Sequence, residues 1–80
     1  MKQEFTITIE QVTYQVKRIY HPELPLSYHI HFNDWHQHTV FRMRPDDSGS
    51  WAIVPMQLPA YVFQAEPHLR DAIEANENGA

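Results

Sequence analysis

The sequence predicts an α+β domain: an antiparallel β-meander of four to five strands, with one C-terminal helix packed on one face. Two observations predict this fold class. Short segments up to residue 53 alternate apolar and polar side chains, whereas the segment from Pro67 onward follows helical spacing. Because the strands precede the helix instead of alternating with it, the domain has two layers. A chain of 80 residues has room for one core, so we expect a single domain over residues 1–80.

The first two strands form a predicted hairpin. Their alternating apolar residues are Phe5, Ile7, Ile9, Val12, Tyr14 and Val16. A two-residue connection at Glu10-Gln11 pairs Ile9 with Val12 and puts every apolar side chain of the hairpin on one face. The connection has no Gly or Asn, which such turns favour, so a slightly longer or irregular turn is the alternative.

The remaining strands follow a proline-containing segment. Residues 21–25 contain two prolines and predict a loop or an edge crossing. Alternation then predicts a third strand over residues 26–32 and a fourth through Thr39, Phe41 and Met43. The sequence Asp47-Ser48-Gly49 predicts a three-residue hairpin loop with the glycine in the left-handed conformation. That loop pairs Met43 with Ile53, and Pro45 with Trp51.

The C-terminal segment predicts a helix with Pro67 at its first position. Leu69 and Ile73 follow helical spacing, and Glu66 and Arg70 form a favourably oriented i,i+4 pair. Asn78-Gly79 is a stop signal, so residues 77–80 are expected to fray. Residues 58–65 are apolar enough to be buried, either as a short strand or as an earlier helical turn.

Three segments of the chain resemble short bacterial proteins of uncharacterised function that pair a β-meander with a C-terminal helix. The segments are the opening Phe5-Thr6-Ile7-Thr8-Ile9, the meander ending near Trp51, and the closing Leu69-Arg70-Asp71-Ala72-Ile73-Glu74. The resemblance covers most of the chain, but its motifs are general packing patterns. It implies a fold and no activity.

Composition excludes several functional classes. The formal net charge is −4, whereas unspecific binding to nucleic acid or anionic membranes depends on a basic surface. Protonation of the six histidines would bring this charge to +2. The absence of cysteine excludes disulfides, Cys-ligated metals and thiol catalysis. The sequence shows neither a signal-peptide pattern nor a run long enough to span a membrane, which predicts a soluble cytoplasmic protein.

Four histidines fall within ten residues: His29, His31, His36 and His38. A two-residue turn at Asn33-Asp34 would set His31 opposite His36, and His29 opposite His38. A loop over residues 33–36 would keep only His31 opposite His38, and a three-residue loop would place the two pairs on opposite faces.

A cluster of these imidazoles predicts a site for Zn²⁺, Ni²⁺ or Cu²⁺, with Asp34 as a further carboxylate ligand. Arg42 and Arg44 are expected on the same face, where their charge opposes a cation. The simpler interpretation is a solvated polar face without a cofactor, and a pH-sensitive contact surface is the third.

No catalytic pattern stands out, so we expect a protein that is not an enzyme. The serines lack a nucleophile-elbow context, and two glycines cannot form a phosphate-cradling loop. We do not expect nucleic acid as a partner, because Tyr14 and Tyr28 match core positions and the net charge is negative. The leading interpretation is a small interaction module. It would use an exposed sheet face or edge, with Arg42 and Arg44 contacting a protein partner or a second copy of the chain.

Overall fold

The computed structural model describes residues 1–34 and 37–79. Its elements are β1 (Glu4–Ile9), β2 (Val12–His21), β3 (Leu24–Asp34), β4 (Gln37–Pro45), β5 (Trp51–Ile53) and α1 (Ala60–Glu77). The strands form one antiparallel sheet in the order β1-β2-β3-β4-β5, so each strand pairs with its neighbours along the chain. The predicted meander with a C-terminal helix is confirmed.

The β1–β2 hairpin has the predicted register. Ile9 pairs with Val12, and Phe5 with Val16. The connection is the tight two-residue turn despite its composition, because Glu10 and Gln11 both adopt positive φ, at 51° and 71°. Two side chains without glycine's freedom therefore occupy the left-handed region in succession.

The β4–β5 hairpin is also as predicted. Met43 pairs with Ile53, and Pro45 with Trp51. Gly49 has a φ of 87°, and the Oδ1 atom of Asp46 accepts hydrogen bonds from Ser48 and from the backbone of Ser50. These hydrogen bonds lower the pKa of Asp46.

The connection between β2 and β3 is shorter than the predicted loop over residues 21–25. Pairing continues to His21 and Leu24, with a register shift between Ile19 and His21, so Pro22 and Glu23 form the turn. Pro25 lies within β3. It precedes the part of β3 that pairs with β4, so its missing N–H costs no hydrogen bond on that side.

The pairing of β3 with β4 differs from all three registers expected from the sequence. Asn33 and Asp34, expected in a turn or loop, belong to β3 and pair with His38 and Gln37 respectively. Both residue types favour turns, but here the ladder and their side-chain neighbours outweigh that local preference. His36 and Trp35 lie outside the described residues.

Helix α1 begins seven residues before the predicted start. Its first residue is Ala60, so Pro67 lies inside the helix, and the undecided segment 58–65 is helical from Ala60 onward. Proline interrupts the helical hydrogen bonds, but buried residues both before and after it enter the same core. The buried helical residues are Val62, Ala65, Leu69, Ile73 and Asn76.

The core lies between α1 and one face of the sheet. Its fully buried side chains are Tyr14, Val16, Tyr28, Ile30, Phe32, Phe41, Met43, Val62, Leu69 and Ile73. The helix contacts both edge strands, β1 and β5. Five flat strands would span about 19 Å at the usual spacing, wider than one helix, so the sheet curls around α1. The opposite face of the sheet, which we call the outer face, remains uncovered by any described residue.

Two helical side chains cover the free edge of β5. The carboxylate of Glu66 accepts a hydrogen bond from the Ile53 N–H at 2.8 Å, and Arg70 Nε donates to the Trp51 carbonyl at 2.8 Å. The predicted i,i+4 pair between Glu66 and Arg70 is formed, with 3.4 Å between Oε1 and Nη2. The helix therefore satisfies the edge groups of the shortest strand.

A polar network joins the end of α1 to the sheet. Arg18 Nε donates to the Glu77 carboxylate at 2.8 Å, and the Tyr28 hydroxyl donates to the same carboxylate. Asn76 donates to the Tyr28 hydroxyl and to the Lys2 carbonyl, and its Oδ1 accepts from the Lys2 N–H. Glu77, where fraying was expected to begin, is the last residue of α1, and Arg18 and Tyr28 both donate to its carboxylate.

Candidate interaction surface on the outer sheet face

The outer face carries most of the basic side chains that are not used inside the fold. Alternation along the paired strands places on it Lys17, Arg42 and Arg44, and Glu4 is its only acidic residue among the described strands. Helix α1, in the other layer, has four acidic residues and one basic residue. The charges of the domain are thus segregated, with the positive side on the uncovered face.

Arg42 and Arg44 lie on this face as predicted, two residues apart on β4 and both exposed. Neither forms an ion pair with any residue in the described part of the chain. They border a hollow of about 200 Å³, whose other walls include Ile19 and Leu24. Both apolar side chains are exposed, Ile19 by 39% and Leu24 by 64%. The hollow therefore combines accessible apolar surface with two guanidinium groups that have no ion-pair partner among residues 1–34 and 37–79.

His29 lies in the middle of a charged row across the sheet. It pairs with Lys17 of β2 on one side and with Arg42 of β4 on the other. The row ends at Glu4, whose carboxylate is 3.6 Å from the Lys17 ammonium. Partial burial, and then the charges of Arg42 and His31, lower the pKa of His29. The imidazole is therefore favoured in its neutral form, which can accept a hydrogen bond as well as donate one.

His31 and His38 are in direct contact across β3 and β4. Their rings are 5.3 Å apart, and His31 Nδ1 is 3.1 Å from His38 Nε2. His38 Nδ1 in turn is 3.1 Å from Asn33 Oδ1. Since an amide oxygen only accepts, His38 Nδ1 carries the proton, and in the neutral pair His31 Nδ1–H donates to His38 Nε2. Partial burial, and then the charges of Lys17 and His38, lower the pKa of His31.

The predicted four-histidine arrangement is only partly brought together. His29 lies opposite Arg42 and not opposite His38, whereas His38 reaches His31 diagonally from its position opposite Asn33. His36 is outside the described residues. Within residues 1–34 and 37–79, no group of three or more His, Asp or Glu side chains is placed to hold one metal ion.

Two features of this surface were not anticipated from the sequence. The apolar walls of the hollow come from Ile19, which alternation places on the outer face, and from Leu24, which lies beside a proline turn. The sequence could have identified Ile19 as a residue of the outer face, because alternation places it on the same face of β2 as Lys17. The diagonal contact of His31 with His38 depends on the register, which no local pattern predicted.

Comparison with known proteins adds no assignment: no protein-family model, no curated protein and no solved structure matches this chain. In the described part of the chain, α1 is the one helix, and it is not apolar enough to cross a membrane.

Proposed function

We propose that this domain is a small interaction module whose outer sheet face binds an acidic segment of a partner protein. The observation that carries the proposal is the pair of exposed arginines, Arg42 and Arg44, without ion-pair partners among the described residues, beside an apolar hollow. Guanidinium groups bind carboxylates through two parallel hydrogen bonds, which gives direction as well as attraction. Ile19 and Leu24 favour a partner segment in which carboxylates alternate with apolar side chains.

Charge and side-chain type favour an acidic protein over a nucleic acid. The described outer face holds three basic residues and one acidic residue, a modest excess compared with the surfaces that neutralise a phosphate backbone. Tyr14 and Tyr28, which could otherwise stack on bases, are buried in the core. The apolar contribution next to the arginines is aliphatic, which suits leucine-like side chains better than planar bases.

The test uses a peptide of alternating Glu and Leu, titrated into the ¹⁵N-labelled full chain. We expect shifts of backbone amides on β3 and β4 that weaken as salt is added, because exposed charge pairs are screened. The variant with Arg42→Gln and Arg44→Gln should lose this response. Lys2→Gln, which removes an exposed charge away from the outer face, is the matched control and should bind as the parent does.

Three results would overturn the proposal. A peptide in which Gln replaces Glu could bind equally well, which would remove the electrostatic basis. A duplex DNA oligonucleotide could bind more tightly than the acidic peptide, which would assign the face to nucleic acid. Sedimentation could show a dimer in the absence of any peptide that the variant with Arg42→Gln and Arg44→Gln does not form, which would assign the face to a second copy of the chain.

A second candidate function is transition-metal binding through His31 and His38. Two ligands at about 2.0–2.1 Å from a tetrahedral Zn²⁺ lie about 3.3–3.4 Å from each other, close to the 3.1 Å between His31 Nδ1 and His38 Nε2. Moving the His31 proton from Nδ1 to Nε2 would free both facing nitrogens for a cation while the rings stay neutral. Asn33 already holds the His38 ring through its other nitrogen, as second-shell partners of metal-bound histidines do.

Thermal melting of chelator-treated protein with added Zn²⁺, Ni²⁺ or Cu²⁺ tests this site. At a pH above the ordinary histidine pKa of about 6.5, added metal should raise the melting temperature. At a pH below that value it should have no effect, because only neutral imidazole binds a metal ion. His31→Ala and His38→Ala should each abolish the metal-induced rise in melting temperature. His36→Ala tests whether the remaining histidine of the segment also contributes to metal binding. His68→Ala, on α1, is the control. A rise that survives both His31→Ala and His38→Ala would exclude the site.

A further inference from the structure

A cleft separate from the outer face lies where the β1–β2 turn, the end of β3 and the first half of α1 meet. We call it the hairpin-end cleft. Its volume is about 480 Å³, within the ~300–1,000 Å³ range of small-molecule sites. The floor is apolar and includes Ile9, Val12 and Ala65. A cleft of this size holds a ligand with an apolar body the size of one aromatic ring.

The charged groups around the cleft have one sign. Glu10 and Asp34 line it, and neither lysine nor arginine is among its described lining residues. His68 is the one lining residue that can become cationic, and it is exposed on α1. The cleft therefore attracts a cation and disfavours a carboxylate or phosphate.

Two tyrosines add polar contacts and aromatic faces. Tyr14 lines the cleft, although only 1% of the residue is exposed. Tyr61 lines the cleft from α1. Burial, and the neighbouring Asp34 carboxylate, raise the pKa of Tyr61 to about 12, so its hydroxyl stays protonated as a donor. Burial also raises the pKa of Tyr14. Aromatic rings beside a carboxylate are a common environment for organic ammonium groups.

We infer that the hairpin-end cleft binds a small organic ammonium compound: a protonated primary amine attached to an apolar body. The ammonium group is held by the Asp34 carboxylate with Glu10 at the rim, and the body lies on the apolar floor between the tyrosine rings. The Tyr14 hydroxyl, on a residue that lines the cleft, supplies an acceptor for one ammonium hydrogen. This site is independent of the outer face, and its occupancy requires neither Arg42 nor Arg44.

The experiment compares three probes of the same shape and different charge on the ¹⁵N-labelled full chain, in the presence of a chelator. Phenethylammonium is the expected ligand, 2-phenylethanol is the neutral analogue, and phenylacetate is the anionic one. Phenethylammonium should shift amides around the cleft and bind more tightly than either analogue. Asp34→Asn should weaken its binding about tenfold, as loss of one partly screened charge contact predicts.

Two controls keep the result interpretable. Asp71→Asn removes an exposed carboxylate from α1 outside the cleft and should leave binding unchanged. Tyr14→Phe keeps the ring and removes the hydroxyl, so it should weaken binding several-fold while the amide spectrum of the core is retained. The inference is overturned if phenethylammonium does not bind, if 2-phenylethanol or phenylacetate binds as tightly, or if the folded Asp34→Asn variant binds as the parent does.

Discussion

Arg18 of β2 and Glu77, the last residue of α1, form an ion pair across 59 positions of the sequence, with Nε 2.8 Å from Oε2. Both side chains are largely buried, being 14% and 20% exposed. The carboxylate also accepts the Tyr28 hydroxyl. This contact fixes the C-terminal end of the helix on the sheet, so it should contribute measurably to stability.

Replacement of Glu77 by Ala should lower the free energy of unfolding by about 2 kcal/mol, because it leaves the Arg18 guanidinium and the Tyr28 hydroxyl without their acceptor. Urea denaturation measures the change. Glu74→Ala, on the exposed side of the same helix, should change stability by less than about 0.5 kcal/mol. Equal effects of the two substitutions would contradict a stabilising role for the ion pair.

The same carboxylate predicts an acid-sensitive contribution to stability. Burial alone would raise the pKa of Glu77, but hydrogen bonds from Arg18 and Tyr28 outweigh it, and the pKa is lowered on folding. A carboxylate with a lowered folded pKa stabilises the fold above its unfolded pKa of about 4.3, and this contribution is lost as pH falls through the folded value. Glu77→Gln should flatten the stability profile in that acidic range.

The turn at Glu10 and Gln11 stores backbone strain that a glycine would relieve. Gln11 has a φ of 71°, which costs a side-chain-bearing residue roughly 1–2 kcal/mol. Gln11→Gly should therefore raise the free energy of unfolding by about 1 kcal/mol. The same substitution at Gln15, in the extended backbone of β2, should instead lower it by roughly 0.5–1 kcal/mol. If both substitutions changed the free energy of unfolding in the same direction, the result would argue against strain at the turn.

Pro67 inside α1 offers a second stabilising substitution. It is exposed and leaves one carbonyl of the preceding turn without its helical donor. Pro67→Ala should raise the free energy of unfolding by about 1–3 kcal/mol, measured by thermal or urea melting. Pro59→Ala, at the start of the helix where no donor is needed, is the control and should change stability much less.

His29 and His31 of the outer face should titrate below the ordinary histidine range. Burial lowers the pKa values of both His29 and His31, and nearby positive charges lower them further. As pH falls below about 6.5 the unfolded chain binds protons first, so the fold loses stability through this window. NMR titration should show that Arg42→Gln raises the pKa of His29, whereas Lys17→Gln raises that of His31. Unchanged pKa values in both variants would contradict this electrostatic coupling.

The register of the β4–β5 hairpin was predictable because two independent signals agreed, whereas that of the β1–β2 hairpin rested on the alternation of apolar residues alone. The alternation of apolar and polar residues paired Ile9 with Val12 and Met43 with Ile53. In the β4–β5 hairpin, the glycine at position 49 also matched the predicted loop. The same alternation predicted that Arg42 lies on the outer face. Where only local preference was available, prediction failed: the turn-forming pair Asn33-Asp34 continues β3, since the ladder and side-chain contacts outweigh turn propensity.

The helix start and the candidate sites needed tertiary information. Proline is common at the first position of a helix, so Pro67 suggested that the helix begins there. The helix continues through it because Val62 and Leu69, on either side of the proline, are both buried in the core, which no local pattern reveals. The contact of His31 with His38 requires the register of β3 with β4. The hairpin-end cleft requires the position of α1 over the sheet, so Asp34 could be suggested only as part of a metal site.

The two edge strands, β1 and β5, differ in whether their outer backbone groups already have hydrogen-bond partners. Glu66 and Arg70 occupy the free edge of β5, whereas no described residue pairs with the outer side of β1. The edge of β1 is therefore open to strand addition by a second chain, whereas the edge of β5 is not. Antiparallel pairing of two β1 strands would relate the copies by a two-fold axis and leave a β5 edge at either end of the joined sheet. The fold therefore permits a symmetric pair by strand addition at β1.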